Sequence, residues 1–252
     1  MVQTPKILKR ETKPDLAYVK TPSTETGSHL PTVMFLGGFR SDMEGTKALF
    51  LEEKCKKAGQ AFIRFDYSGH GVSGGAFEEG CIGDWADDAL AILDELTHGP
   101  VIFIGSSMGG WISLLLALKR PERVEAIIGL AAAPDFTKIM EQRMSDDQKK
   151  KLETDGFFAL DNDYSDEPYV ITKKLIEDGR AQCLLDETID IQCPVRLIQG
   201  KKDTDVNWKT AEIIQDKLLS EDVDVILLYK ADHRLSAPNE LVVLSDTLDS
   251  LI

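Results

Sequence analysis

Only four of the 252 residues are cysteine and only four are histidine, and that scarcity removes several classes of function at once. Cys55, Cys81, Cys183 and Cys193 form no C-x-x-C pair and show no metal-ligand spacing. They read as reduced thiols, not as a disulfide framework or a zinc site. Neither a cofactor nor a metal is expected. Apolar runs are short, and none approaches the roughly 20 residues that a membrane-spanning helix needs. A G-K-[ST] phosphate loop and a dinucleotide fingerprint are both missing. Positive charge is also in deficit. The formal net charge of −14 disfavours nucleic acid and anionic membrane surfaces as partners, because both would repel the chain. Met1-Val2-Gln3-Thr4-Pro5-Lys6 has no signal-peptide core and little transit-peptide character. The expected compartment is therefore a bacterial-type cytoplasm, or a mitochondrial matrix if a presequence has been removed.

What the chain does contain is an alternation of apolar strands and helices. At 42% hydrophobic residues it is globular in composition, and its length suits one domain over residues 1–252. Strands are predicted near Val33–Leu36, Ala61–Phe65, Val101–Ile104, Ala126–Leu130, Val195–Gln199 and Val223–Leu228, after a leading hairpin within Ile7–Lys20. Helices are predicted near Gly45–Lys57, Asp84–Leu96, Gly110–Lys119, Trp208–Leu219 and Glu240–Leu251. Such alternation specifies an α/β fold with a mostly parallel, doubly wound sheet.

One pentad stands out against that background. Gly105-Ser106-Ser107-Met108-Gly109 follows the buried strand Val101-Ile102-Phe103-Ile104 and precedes the apolar helix Trp111–Leu118. A G-x-S-x-G string alone is weak. Between a buried strand and a buried helix it reads as a nucleophile elbow, whose tight turn leaves no room for side chains at Gly105 and Gly109 and presents Ser107 above the sheet. A serine hydroxyl needs a base, and the base needs a carboxylate to orient it. On this scaffold the partners follow in the order serine, acid, histidine. Of His29, His70, His98 and His233, only His233 lies beyond Ser107. For the acid, Asp203 leaves the end of the Pro194–Gln199 strand at a suitable point; Asp205 is a near rival and Asp135 a remoter one. The Met108 amide and the Phe39 amide, the latter following Gly37-Gly38, are the candidate oxyanion donors.

Two further segments matter. Asp66-Tyr67-Ser68-Gly69-His70-Gly71-Val72-Ser73-Gly74-Gly75 is a glycine-rich loop leaving a strand, read as structural, with His70 a loop residue and not a ligand. From about Pro134 to Asp190 the alternation lapses into polar sequence that holds a cluster of Phe157, Phe158, Tyr164 and Tyr169. Phe136, Ile139, Met140, Arg143 and Met144 share one helical face there. The segment is either an ordinary surface excursion or a cap whose apolar face, with Ile139 and Met140, meets the substrate. Arg40 is either an exposed loop residue or a cation facing the leaving group.

These strings resemble the α/β-hydrolase superfamily over nearly the whole chain. Gly38–Ala48, Phe62–Gly69, Gly105–Trp111, Cys193–Gly200 and Asp222–Leu227 with Asp232-His233-Arg234 carry a closer resemblance to the family of α/β-hydrolase domain-containing protein 10 and its bacterial relatives. That resemblance implies an α/β-hydrolase fold with a small cap at about 134–190. It also implies Ser107 as nucleophile, Asp203 as acid, His233 as base, and the Phe39 and Met108 amides at the oxyanion. Gly37-Gly38 replaces the His-Gly that usually precedes the first oxyanion residue. The implied activity is a serine esterase or thioesterase working through an acyl-enzyme. Its partners would be small-molecule esters or thioesters, acyl glucuronides among them, or S-acylated proteins. A peptidase or C–C bond hydrolase on the same triad, and a non-catalytic receptor, remain the alternatives.

Overall fold

The structure, a computed structural model, describes residues 4–160 and 168–252. Tyr164 of the expected aromatic cluster lies outside them. An eight-stranded sheet forms from β1 (Lys6–Leu8), β2 (Leu16–Thr21), β3 (Thr32–Leu36), β4 (Phe62–Phe65), β5 (Val101–Ser106), β6 (Val124–Leu130), β9 (Val195–Gly200) and β10 (Val223–Leu228). The intervening β7 (Phe157–Leu160) and β8 (Tyr169–Thr172) pair with each other outside it. The spatial order is β1-β2-β4-β3-β5-β6-β9-β10. The leading hairpin is antiparallel, β2 runs antiparallel to β4, and every other neighbour is parallel.

Central strands of a parallel sheet are covered on both faces, which is why these strands read as unbroken apolar runs in the sequence. Val33, Phe35, Ile102, Ile104 and Ile128 point to one side. There they pack on Ala48, Leu51 and Cys55 of α1 (Thr46–Ala58) and on Leu244 and Leu248 of α8 (Pro238–Asp249). Met34, Leu36, Val101, Phe103 and Ile127 point to the other side. That face is covered by α2 (Ile82–Leu96), α3 (Met108–Lys119) and α7 (Lys209–Lys217). Trp85 and Trp111 are among its fully buried side chains.

The strand order reverses direction between β3 and β5, and the crevice beyond the C-terminal ends of those two strands is where such a sheet binds ligands. Gly37-Gly38-Phe39 leaves β3 and Ser107 leaves β5, so both border that crevice.

Between β6 and β9 the chain builds α4 (Phe136–Arg143), α5 (Asp146–Thr154), the β7–β8 ribbon and α6 (Lys173–Ala181). Ser145 caps α5 through a reciprocal bond with Gln148, which the Ser145-x-x-Gln148 spacing encodes. Helices α4 and α6 pack closely: a Cβ at Gly179 would lie 2.2 Å from the Thr137 hydroxyl. The ribbon corrects the expectation of a mere aromatic cluster. Its strands are four residues each, too short for a period-two pattern to register.

Candidate active site

The elbow is fixed by backbone in contact with backbone. A Cβ at Gly105 would sit 2.3 Å from the Gly109 carbonyl oxygen, and one at Gly109 would sit 2.1 Å from the Leu36 oxygen. Both positions therefore require glycine. Ser107 itself adopts φ 54° and ψ −116°, a conformation that side-chain-bearing residues rarely take and that marks a strained functional turn. Its N–H donates to the Leu130 carbonyl (2.9 Å), and its own carbonyl accepts from Gly110 (2.9 Å) and Ala133 (3.1 Å). The strain is thus held by strand β6 and helix α3.

His233 reaches this serine from the loop after β10. Its Nε2 is 3.2 Å from Ser107 Oγ, and its Nδ1 is 2.8 Å from Asp203 Oδ2. Two bonds between the loops leaving β9 and β10 set that approach, Lys201 N–H to the Leu228 carbonyl and Lys202 N–H to the Ala231 carbonyl, each 2.9 Å. A Cβ at Gly200 would meet the Ala231 oxygen at 2.4 Å, so the strand end must be glycine for the loops to touch. The Nδ1 contact with a carboxylate puts the ring proton on Nδ1 and leaves Nε2 free to accept from Ser107.

Asp203 has a fully buried side chain. Oδ1 accepts the Asp205 (2.9 Å) and Val206 (2.8 Å) amides, and Oδ2 also accepts Gln199 Nε2 (2.8 Å). Burial pushes its pKa up, but the bonds from His233, Val206 and Gln199 outweigh this and hold the carboxyl below its ordinary value. Of the rivals, Asp205 contributes its amide to Asp203. Asp135, buried with φ 59°, accepts the Leu184 (2.8 Å) and Leu185 (2.9 Å) amides. It clasps the two ends of the α4–α6 segment instead of touching His233.

Met108 follows Ser107 in the chain, and Phe39 lines the same cavity as that serine. Among the described residues neither backbone N–H has a hydrogen-bond acceptor, although such groups are normally paired when shielded from water. The Phe39 ring is wedged between Phe77, Trp85, Phe136 and Tyr169, with centroids 4.9–5.9 Å away.

A cavity of about 750 Å³ opens over Ser107 and His233. The α4–α6 segment contributes Phe136, Leu160 and Tyr169 to its wall. Ile139 and Met140, expected there, instead line a neighbouring cavity of about 300 Å³, which shares Ala133, Phe136, Leu160, Asp205 and Val206 with the first. Phe136 borders both cavities, and Ile139 and Met140, one turn further along the same face of α4, border the second. Arg40 does line the main cavity, but its guanidinium is paired with Glu78 (3.1 Å) and lies over the Phe77 and Tyr169 rings at 4.5 and 5.4 Å.

One basic group went unnoticed in the sequence, and a second was noticed without its contact. Lys47, at the start of α1, donates to the Arg234 carbonyl beside His233, and burial pulls its pKa down to about 8 against the opposing pull of Glu240 and Asp232. His70 lies on its structural loop as expected but is buried, and its Nε2 accepts the Arg40 N–H at 3.2 Å. The Gly69-His70-Gly71 string was the only available signal.

Residues 31–216 match the family model described as the alpha/beta hydrolase fold. The chain belongs to the α/β-hydrolase family. Mitochondrial palmitoyl-protein thioesterase ABHD10 of Homo sapiens is 42% identical over 246 residues, covering 97% of this chain and 79% of that protein. The solved mouse α/β-hydrolase domain-containing protein 10 superposes with a TM-score of 0.91 at 39% identity, covering 99% of this chain and 98% of that one. A solved chain from Agrobacterium vitis S4 gives 0.93 at 37% identity, with the same two coverages. This α/β-hydrolase is an enzyme of the esterase and thioesterase kind. Among its described residues, no helix is long and apolar enough to cross a membrane.

Proposed function

We propose that this hydrolase cleaves long-chain acyl thioesters, and the corresponding oxygen esters, through an acyl-enzyme on Ser107. The observation that carries the proposal is the His233 imidazole bridging Ser107 Oγ and the buried Asp203 carboxylate within a largely apolar chamber. Ser107 Oγ attacks the acyl carbon while His233 Nε2 takes its proton. The carbonyl oxygen becomes an anion and accepts from the Phe39 and Met108 amides. Collapse of the tetrahedral species expels the thiol or alcohol, which receives the proton from Nε2. Water then repeats the sequence, with Nε2 as base, and releases the carboxylic acid. Asp203 holds the ring and stabilises the imidazolium without taking its proton.

The acyl chain would lie against Phe136, Leu160 and Tyr169 and extend toward the Ile139 and Met140 cavity. The cap reading of the α4–α6 segment belongs to this proposal. The leaving group would exit past Arg40, Lys47 and Arg234, a rim able to receive an S-acylated peptide or an anionic group such as a glucuronide. The relatives are named palmitoyl-protein thioesterases, and this supports an S-acyl protein as substrate. Their names also place them in mitochondria. A mitochondrial setting is compatible with this chain, whereas the cytoplasmic expectation finds no support among them.

The test is a series of S-acyl peptides from acetyl to palmitoyl. Turnover should rise with chain length and disappear in Ser107→Ala. Met140→Trp, which narrows the second cavity, should lower kcat/KM for the palmitoyl member by about 10-fold, or roughly 1.4 kcal/mol, and spare the short ones. A flat length profile in the wild type would refute the long-chain reading.

A further inference from the structure

The loop after β4 carries a buried polar chain that the reaction as derived does not use. The Arg10 guanidinium contacts Asp88 Oδ1 at 2.7 Å. Asp88 Oδ2 accepts the Ser68 N–H (2.8 Å) and hydroxyl (2.6 Å). The Ser68 carbonyl accepts Trp85 Nε1–H and His70 Nδ1–H, each at 3.1 Å. Because a carbonyl can only accept, this bond puts the His70 proton on Nδ1 and leaves Nε2 as an acceptor. The Arg40 N–H occupies that acceptor at 3.2 Å. The ring is 3% exposed, packs edge-on against Tyr67, Phe77 and Trp85, and is kept neutral by burial, with its pKa lowered to about 4. The loop that carries it is pinned in turn, since Asp66 accepts the Met43 (2.7 Å) and Val72 (2.9 Å) amides.

What His70 holds is a strained turn. The Gly38 carbonyl accepts the Ser41 N–H (3.1 Å) and hydroxyl (2.8 Å), so residues 38–41 form a β-turn with Phe39 and Arg40 at its centre. Arg40 has φ 57°. Positive φ at the third turn residue belongs to the turn type that ordinarily requires glycine there. An arginine would relax by flipping the Phe39–Arg40 peptide, which gives the commoner turn with negative φ. The flip would carry the Arg40 N–H away from His70 and bring the Phe39 carbonyl toward it. It would also change ψ at Phe39, which lines the cavity together with Ser107, and disturb the short turn that holds the Gly38–Phe39 peptide.

We propose that His70 is a positioning residue of the oxyanion loop: by accepting the Arg40 N–H it locks the 38–41 turn in its strained form and so aims the Phe39 N–H at the reacting carbonyl. This rests on the reading of Phe39 as an oxyanion donor in a serine hydrolase. His70 acts through that turn and touches no substrate. It would matter most in the transition state, where the oxyanion bonds shorten and bear charge.

The experiment compares wild type, His70→Phe and His70→Gln on one neutral thioester. Phenylalanine keeps the aromatic packing and removes the acceptor. The glutamine amide can both accept from Arg40 and donate to Ser68. His70→Phe should lose on the order of 10²-fold in kcat with KM within about 3-fold, the scale of losing one oxyanion donor. It should bind a trifluoromethyl ketone, which forms a tetrahedral adduct, more weakly by a comparable factor. His70→Gln should recover kcat to within about 10-fold of wild type. His70→Leu replaces the phenylalanine variant if that protein does not fold. An active wild type with kcat unchanged in the folded acceptor-free variant would overturn the role of His70. So would a loss that glutamine does not reverse. A wild type inert toward every ester and thioester would instead refute the underlying hydrolase mechanism.

Discussion

Around Ser107 the chain is fixed by backbone pressed on backbone, whereas between β6 and β9 it is fixed by side chains, with Leu152, Phe158, Ile171, Leu175 and Ile176 buried beneath it and ion pairs at the surface. Gly105, Gly109 and Gly200 each occupy a position where a Cβ would fall within 2.4 Å of another residue's carbonyl oxygen. The α4–α6 segment is tied internally by Lys138–Asp186 (2.6 Å), Lys173–Glu153 (2.7 Å) and Arg180–Glu141, and to α2 by Lys174–Asp84 (2.6 Å). Such exposed pairs contribute roughly 0–1 kcal/mol each and weaken with salt. Firmer polar ties are made where Asp135 receives the Leu184 and Leu185 amides, where Asp178 receives the Gly83 amide (2.7 Å) and where Trp111 Nε1 donates to the Gln182 carbonyl (3.1 Å). The two regions accordingly divide the labour. On the proposed mechanism the first must hold angles for chemistry, and the second has only to enclose an acyl chain whose length and leaving group vary.

If this contrast is right, the largest effects belong to the elbow and its partners. Asp203→Asn should lower kcat on the order of 10⁴-fold by favouring the wrong imidazole tautomer, while Asp205→Asn should cost under 10-fold. Steady-state kinetics on one thioester checks both, and a reversal would move the acid by two residues. Gly109→Ala comes next. Its methyl has nowhere to go but into the Leu36 carbonyl, so a loss of about 3 kcal/mol or more in denaturant unfolding is expected, together with lost activity.

A smaller but more diagnostic effect concerns acid. Burial lowers the His70 pKa from its ordinary 6.5 to about 4. Between those values the unfolded chain takes a proton that the native state refuses. The contribution is therefore complete above about pH 6.5 and is lost as pH falls toward 4. At roughly 1.4 kcal/mol per pH unit it amounts to about 3 kcal/mol. Unfolding free energies measured across that window should show a shallower slope in His70→Gln.

The smallest effect tests the other side of the comparison. Arg180→Ala should cost less than about 1 kcal/mol, and half-molar salt should erase most of it. A large, salt-independent loss there would show that the segment is anchored as rigidly as the elbow.

The same contrast explains how much could be read in advance. Strands β3, β5, β9 and β10 were legible to within two residues because continuous apolar runs leave few alternatives. The elbow was legible because its glycines have a steric reason. Ser107 and His233 follow from chain order, yet Asp203 and Asp205 are separated only by which carboxylate is buried beneath the ring. Ile139 and Met140 line the adjoining cavity and not the one over Ser107; helical periodicity identifies an apolar face without saying which cavity it meets. The role of His70 was illegible for a related reason. It depends on Arg40 adopting positive φ thirty residues earlier in the chain, and nothing in the types of residue announces that.

The central claim is that an acyl group passes through Ser107, and the direct measurement is the site of that covalent intermediate. Rapid acid quenching of the enzyme with a palmitoyl thioester, followed by intact mass and peptide mapping, should find one palmitoyl group on the peptide containing Gly105–Gly109. Fragmentation should place it on Ser107, and the adduct should be missing from Ser107→Ala. Turnover at the wild-type rate in Ser107→Ala, or an adduct that maps to Ser106 or to a cysteine, would contradict the account.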